Sequence, residues 1–434
     1  MRLLVTNTKV PQAYVIIRAL RPFADHIVAT MPGRSRKGQI VSYAAYSRFV
    51  DRRYPVNPPS EEWMSGRLHA DNTANDLAYL KQILEICERE RIDVIFPSND
   101  SEAYVFSKNK EMFRKLGIRI PIPDFDTLVL VLDKLNTIRA ADRIGFPVPR
   151  TFAPRTEDEV ISAVAALPSP WVIKPRSSCH GFGMQIVSDR ADLLRRYRQV
   201  KAEYGNPLIQ EYIPGDKKQN FYTMVGPGGK LDFALCPRIR RYSHRMYRNS
   251  TASCISSTDH PMLGKVEELA GALGWRGGLT VQTKIDVRDG KAKLMEANGR
   301  LGTHLWYLTE LGANAPLFSI YPERGEALGG AVEIPEGILL LDPVEDFFGA
   351  IAGVIDWAAF QVRTRLLRKA PLDASNSPLP LGTFFREYAA DYFGGHEVKF
   401  HPQFRYIVSD FRPNAVSILH SARNALNDLK RVGM

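Results

Sequence analysis

Short apolar runs alternate with amphipathic stretches from the first residues of the chain. Leu3 to Thr6 and His26 to Thr30 read as strands, and Ala13 to Leu20 between them as a helix. From Asp76 to Arg91 the apolar residues Leu77, Leu80, Leu84 and Cys87 recur every three or four positions, which draws one face of a helix. Asp93 to Phe96 is again rich in strand formers, and Pro97–Ser98–Asn99–Asp100 ends it in a loop. Strands alternating with helices predict a doubly wound α/β lobe on a parallel sheet. The loop after the first strand, Asn7–Thr8–Lys9, has no glycine, so the dinucleotide fingerprint is missing and NAD is not expected here.

Pro121–Ile122–Pro123 marks a boundary, and the helical pattern from Thr127 to Ile144 is broken by Phe146–Pro147–Val148–Pro149. Ala153 to Ile213 reads as a small α/β unit. Pro227–Gly228–Gly229 turns between two strand signals, and Lys265 to Leu273 is helical. Leu279 to Val287 and Lys293 to Ala297 form a hairpin around Asp289–Gly290. From about Pro335 the pattern changes to aromatic and basic helices, and Glu345 to Lys369 reads as one of them. Its apolar stripe is Phe347, Ile351, Val354, Ala358, Val362 and Leu366, widened by Phe348, Ile355 and Leu367. Three domains are expected, over 1–122, 123–334 and 335–434.

Length and composition agree with this division. The 434 residues suit two to four domains, and 44% apolar with 24% charged residues is ordinary for a globular chain. The net charge of +11 favours an anionic partner, although a solvated basic surface gives the same figure. Cys87, Cys179, Cys236 and Cys254 form no C-x-x-C pair, so neither a zinc site nor a disulfide framework is expected. Scattered cysteines and the lack of a long apolar run near the N-terminus lead us to expect a cytoplasmic protein.

Three stretches carry candidate chemistry. In Trp171 to Met184 a β-run ends in Lys174–Pro175, followed by a small-residue loop with Gly181 and Gly183. Such a loop lets backbone N–H groups approach phosphate oxygens while the lysine supplies a point charge; a glycine-bearing hairpin would look the same. Leu208 to Ile213 is an apolar strand interrupted by Glu211, which is either paired or solvent-facing. In Thr280 to Arg300, Glu296 and Asn298 are two apart and share a strand face, with Gln282 on the preceding strand. One carboxylate and two amide oxygens suit a hard cation such as Mg²⁺ once nucleotide phosphates complete its shell, and Arg300 is placed to neutralise a transferring phosphoryl group. A polar strand end running into a turn is the plainer alternative.

In this order the stretches resemble the ATP-grasp superfamily over roughly residues 1 to 325. Asp133–Lys134 opens a helix, Val172–Ile173–Lys174–Pro175 leads into the glycine loop, Gln210–Glu211–Tyr212–Ile213 matches the adenine hinge, and Glu296-x-Asn298-x-Arg300 matches the metal strand. Gln282 at the first metal position is similar to the carbamoyl phosphate synthetase-like branch, as are several carboxylate–amine ligases of amino-acid, peptide or surface-polymer synthesis. The resemblance implies a pre-ATP-grasp α/β lobe, a two-subdomain α+β ATP-grasp fold and a mainly helical C-terminal extension. It implies that Lys134 and Lys174 hold ATP phosphates, that Glu211 and the backbone near Ile213 hold adenine, and that Gln282, Glu296 and Asn298 hold Mg²⁺ or Mn²⁺. Arg300 would meet the γ-phosphate or acyl phosphate. Asp216 is the only candidate for the ribose hydroxyls, at a short offset, and Gly299 stands where the family usually has proline.

The implied reaction activates a carboxylate as an acyl phosphate for attack by an amine. Carbamoyl phosphate synthesis usually needs a second ATP-grasp half. A biotin carboxylase-like enzyme would carry Gln-Val-Glu-His where this chain has Leu301–Gly302–Thr303–His304, and a non-catalytic nucleotide-binding protein is the third alternative. Pro237 to Arg248 holds five arginines, two tyrosines and His244, and reads as a surface for an anionic co-substrate or as a solvated basic loop. Arg238 and Arg241 are the residues chosen there, and His304 is a candidate cleft residue or a structural histidine. Small-molecule carboxylate and amine substrates are therefore expected, nucleic acid is not, and a homodimer is left open. The acidic start and basic end of Glu345–Lys369 (Arg363, Arg365, Arg368, Lys369) suit either a helix packed on the core or one lying on an anionic membrane. Phe384, Phe385, Tyr388 and Tyr392 would add to that surface.

Overall fold

The computed structural model describes residues 1–32, 42–179, 181–242, 251–302, 304–320, 332–361, 380–395, 397–406 and 409–410. Strands β1 (Arg2–Val5), β2 (His26–Pro32), β3 (Arg52–Val56) and β4 (Val94–Phe96) form a parallel sheet in the order β3-β2-β1-β4. Helix α1 (Pro11–Leu20) follows β1 with proline in its first turn, where a missing N–H costs nothing. Helix α2 (Ala74–Glu90) begins at a capping box, in which Thr73 and Asp76 satisfy each other's backbone N–H groups. Its buried face is Tyr79, Leu80, Ile83, Ile86 and Cys87. Leu77, expected on that face, is 56% exposed and Leu84 half-buried, because the face is centred on the aromatic and β-branched residues. Strand β3 carries Arg52, Arg53 and Pro55, and it takes the sheet edge, where a missing donor is tolerated.

The helix expected over Thr127 to Ile144 is two helices, α3 (Phe125–Leu132) and α4 (Lys134–Arg143). Asp133 between them is extended (φ −87°, ψ 103°), and its carboxylate accepts from the N–H of Leu135. The break puts Lys134 in the first turn of a new helix. A small lobe follows: β5 (Thr151–Phe152), α5 (Glu157–Ala165), β6 (Trp171–Lys174), β7 (Gln185–Val187), α6 (Arg190–Tyr204) and β8 (Leu208–Glu211). Its antiparallel sheet runs β5-β8-β6-β7 over a core of its own that includes Val160, Trp171, Ile173, Tyr197 and Ile209.

The large sheet is antiparallel, β10-β9-β13-β14, from β9 (Lys218–Val225), β10 (Leu231–Leu235), β13 (Gly277–Ile285) and β14 (Ala292–Asn298). It shares buried clusters with the N-terminal lobe: Leu4 and Ile95 belong with Phe221 and Val281, and Leu3 and Val5 with Tyr222 and Met224. The N-terminal lobe and the large sheet are thus one packed body, to which the small lobe is attached.

A fourth sheet, β11-β12-β15-β16, takes β11 (Arg238–Tyr242) and β12 (Thr251–Ile255) from the middle of the chain, and β15 (Leu339–Leu341) and β16 (Val398–Phe400) from beyond residue 335. The C-terminal segment also contributes the helices Pro343–Gln361 and Leu381–Phe393. The first of these does not carry the expected stripe intact. Phe347 is 60% exposed and Ala358 is exposed, whereas Ile351 and Val354 are half-buried. Tyr388 and Tyr392, read as a further membrane-facing surface, direct their hydroxyls to the carbonyl and the carboxylate of Asp346 on the neighbouring helix. Val362, Leu366, Leu367 and the basic end of the expected helix, Arg363 to Lys369, lie outside the described residues. Among the described residues no helix is long and apolar enough to cross a membrane.

Candidate active site

The polar face of the large sheet is set by strand register. Gln282 stands opposite Glu296 on one side and Asn220 on the other, and Thr280 stands opposite both Asn298 and Tyr222. Directly paired residues point to the same side of a sheet, so Asn220, Gln282, Glu296 and Asn298 form one patch. The Nδ2 of Asn298 lies 3.4 Å from Oε1 of Glu296. The register shifts between Gln282 and Thr283, which leaves Met295 as the extra residue of a bulge. Its carbonyl accepts from the Nζ of Lys174 at 2.8 Å.

Lys174 ends β6 and is buried. Burial above all, opposed by Glu296 and aided by nearby Lys134, pulls its ammonium group down to about 8. Lys134, also buried, donates through Nζ to the carbonyl of Ser178 at 2.5 Å and through its backbone N–H to Arg176 O at 2.9 Å. Arg176 in turn pairs with Asp133. The glycine loop between β6 and β7 therefore folds back on the first turn of α4. Gly181 and Gly183 both have positive φ. A Cβ on Gly183 would come within 2.6 Å of the Pro175 and Tyr204 side chains, so the loop needs glycine there for space as well as conformation.

Glu211 is buried at the end of β8, and it is paired: its Oε1 accepts from Lys293 at 3.0 Å, and Arg288 stands 3.7 Å from Oε2. Both cations also hold Asp286, whose carboxyl Arg288 and then Lys293 keep far below the usual carboxylate range. The hinge is thus anchored to the β13–β14 hairpin. Ile213 is buried beside it, and Asp216 is half-buried just before β9.

Arg300 is largely buried, and its guanidinium forks onto Asp100 of the N-terminal lobe, at 2.7 Å from Nε and 3.0 Å from Nη2. A buried arginine needs a counter-charge; Asp100 supplies it and aims the group. His304 lies against Tyr222 and Tyr307, with ring centroids 5.1 and 5.2 Å away. Burial first, then His401 and Lys218, push it down to about 4, so it is neutral at pH 7.

The two arginines chosen for an anionic co-substrate part company. Arg238 is exposed on β11, whereas Arg241 is buried between Asp346 and Asp391 and over the Tyr388 ring, 4.0 Å from its centroid. Two carboxylates and an aromatic face engage that guanidinium, so Arg241 joins β11 to the C-terminal helices. His244 and the rest of the basic stretch beyond Tyr242 lie outside the described residues.

Two residues of the polar face were missed in the sequence. Lys218, whose side chain burial and Lys284 lower to about 8, donates its backbone N–H to the Tyr242 hydroxyl at 2.8 Å. Asn220 is buried and donates to the Tyr222 hydroxyl at 3.2 Å, and among the described residues its Oδ1 has no hydrogen-bond partner. The signal was the alternation Lys218, Asn220, Tyr222 along one strand.

The donor set fits a divalent cation in company. Among the described residues no group of three or more His, Cys, Asp or Glu side chains could hold a metal ion. One carboxylate and amide oxygens are too few for Mg²⁺ alone but suit one that phosphate oxygens also ligate. Buried lysines nearby offer charge for those phosphates.

A family model described as "ATP-grasp domain" matches residues 131–304, and one described as "PylC-like, N-terminal domain" matches residues 71–121. The carbamoyl phosphate synthase large chain of Thermus thermophilus is 23% identical over 292 residues, 65% of this chain and 27% of that protein. A D-alanine–D-alanine ligase of Anaplasma centrale is 33% identical over 105 residues, 24% of this chain and 49% of that protein. The chain therefore spans about half or less of these relatives' own lengths. A biotin carboxylase from Campylobacter jejuni, solved with a β,γ-ATP ligand, superposes with a TM-score of 0.59 at 18% identity, over 78% of this chain and 74% of that one. The N5-carboxyaminoimidazole synthetase of Staphylococcus aureus, complexed with ADP, gives 0.56 at 14% identity over 77% and 79%. These likenesses concern the fold. Residues 131–304 of this chain therefore form an ATP-grasp domain.

Proposed function

We propose that the protein is an ATP-dependent carboxylate–amine ligase that works through an acyl phosphate. The observation that carries this reading is the strand face that bears Gln282, Glu296 and Asn298, with the buried ammonium group of Lys174 bonded to the Met295 carbonyl beside Glu296 and Lys134 buried at the glycine loop. Lys134 and Lys174 would hold phosphate oxygens of ATP, and Gln282, Glu296 and Asn298 would hold Mg²⁺ or Mn²⁺. When bound, the metal neutralises charge on the phosphates during transfer. Arg300, aimed by Asp100, would stabilise the charge that develops on the moving phosphoryl group. A carboxylate oxygen of the substrate attacks the γ-phosphorus as the bond to ADP breaks. An amine then attacks the acyl carbon, the nitrogen loses a proton, and phosphate leaves with its electron pair. The chain contributes positioning and charge rather than a covalent nucleophile.

Measurement of ADP release across paired carboxylates and amines, with bicarbonate included, tests this. Release that depends on both an acid and an amine is expected. Release with bicarbonate alone would point to carboxylation chemistry, and no release above the blank with any pair would overturn the ligase reading. Glu296→Gln should lower turnover by at least about a hundredfold, the scale seen when one group stabilising transition-state charge is removed, with little change in melting temperature. Turnover equal to wild type would remove Glu296 from the metal site.

A further inference from the structure

A cavity of ≈ 570 Å³ opens at one end of the small lobe's sheet, and none of its lining residues belongs to the large sheet. Strands β5 and β6 both run antiparallel to β8. The chain just past β5, the chain just past β6 and the chain just before β8 therefore meet at this end. They bring Arg155, Arg176 and Asn206 to the cavity, and α4 closes it with Leu135 and Arg139, one helical turn apart.

Some cations of the small lobe are neutralised by carboxylates within it. Arg195 and Arg196 pair with Asp192, and Arg198 pairs with Glu157. Among the described residues no carboxylate engages the guanidinium of Arg139 or Arg155, and both line the concave wall. Arg176 is shared with Asp133. Glu159, at the rim, accepts from the backbone N–H of Arg155 at 2.6 Å and so serves the first turn of α5. Three arginines against one glutamate leave a positive potential that a concave, partly apolar wall concentrates.

We propose that this cavity binds a small oxyanion, of the phosphate or carboxylate class, that bridges α4 to the small lobe. Guanidinium forks match both kinds of oxyanion in a bidentate way. Asn206 can donate a further hydrogen bond, and Leu135 with Ala153 offers an apolar floor for the rest of a small metabolite. Glu159 at the rim repels a long polyanion. The site lies on the same helix as Lys134, whose N–H meets Arg176 O. A bound anion would thereby hold the small lobe against the helix that opens the cleft.

The test is calorimetric titration of the full chain with inorganic phosphate in one arm and citrate in the other. The cleft is saturated beforehand with Mg²⁺ and a non-hydrolysable ATP analogue, so that failure of this site and failure of the ligase reading are read separately. One anion per chain is expected, with affinity at least about tenfold weaker in Arg139→Ala/Arg155→Ala, as loss of charge-assisted hydrogen bonds predicts. The melting temperature and analogue affinity of that variant should match wild type. Saturation in the phosphate arm alone identifies a phosphate ligand, and saturation in the citrate arm alone a carboxylate. No saturable binding of either probe, or equal affinity in the double variant, overturns the proposal.

Discussion

Lys174 keeps its ammonium group out of water, with a carbonyl as its hydrogen-bond partner rather than a carboxylate. A buried cation without a carboxylate partner is what the proposed phosphate contact requires. We expect Lys174→Ala to weaken binding of an ATP analogue by about tenfold or more, roughly the loss of one charged contact, with a smaller effect on folding. Unchanged affinity in calorimetry would make the lysine structural. The group also predicts a pH dependence. It titrates near 8 in the folded chain, against 10.5 for the ordinary group. Between those values the unfolded chain binds more protons than the folded one, so this lysine's burial costs stability below about 8, and that cost disappears as the pH rises to 10.5. A bound polyphosphate raises the pKa again, so analogue binding above about pH 8 should take up protons. Calorimetry in buffers of different ionisation enthalpy should find that uptake in wild type and less of it in Lys174→Ala. Equal uptake in both would assign it elsewhere, Lys218 being the next candidate.

Asp133 ends one helix, caps the next and receives Arg176. Through it, the first turn of α4 and the glycine loop are fixed to each other. Asp133→Ala removes a cap worth about 1 kcal/mol and frees Arg176, so a lower melting temperature and weaker analogue binding should appear together. A lower melting temperature with unchanged binding would limit Asp133 to helix stability. Elements were legible in the sequence where the signal is local: β1, β2, β4 and the β13–β14 hairpin stand where they were expected, with β2 and β13 displaced by two residues at their ends. The helix break at Asp133 could be read from its capping chemistry but not from apolar spacing, which runs straight through it. Strand β3 escaped because arginines and a proline mask an edge strand. The buried face of α2 was rotated because the partner surface, not the helix, selects which residues go inside.

At the scale of the molecule, Arg241 joins the middle of the chain to its C-terminal helices by pairing with Asp346 and Asp391, both fully buried. Asp410 reaches the N-terminal lobe in the same way, bonding to the Ser47 hydroxyl and the Arg48 N–H. Removing one partner of a buried ion cluster strands the others, a cost of about 3–5 kcal/mol. Arg241→Ala should therefore lower the denaturant midpoint strongly, whereas Arg238→Ala, on an exposed side chain, should leave it unchanged. Equal midpoints for Arg241→Ala and wild type would mean that the cluster contributes little to holding the C-terminal segment.

The order of Lys134, Lys174, the glycine loop, Glu211 and the Glu296–Asn298 pair is a property of the chain itself. So is the common face of Glu296 and Asn298, because the two-residue repeat of a strand is set by covalent geometry. Partners at long range are not. Arg300 meets Asp100, 200 positions away, and Arg241 meets Asp346 and Asp391, 105 and 150 positions away. Glu211 finds Lys293 across 82. In each case a buried charge required some counter-charge, which the residue type announces. Which one it met depended on how sheets and helices packed, and that packing also gathered Arg139, Arg155 and Arg176 from separate elements around one cavity.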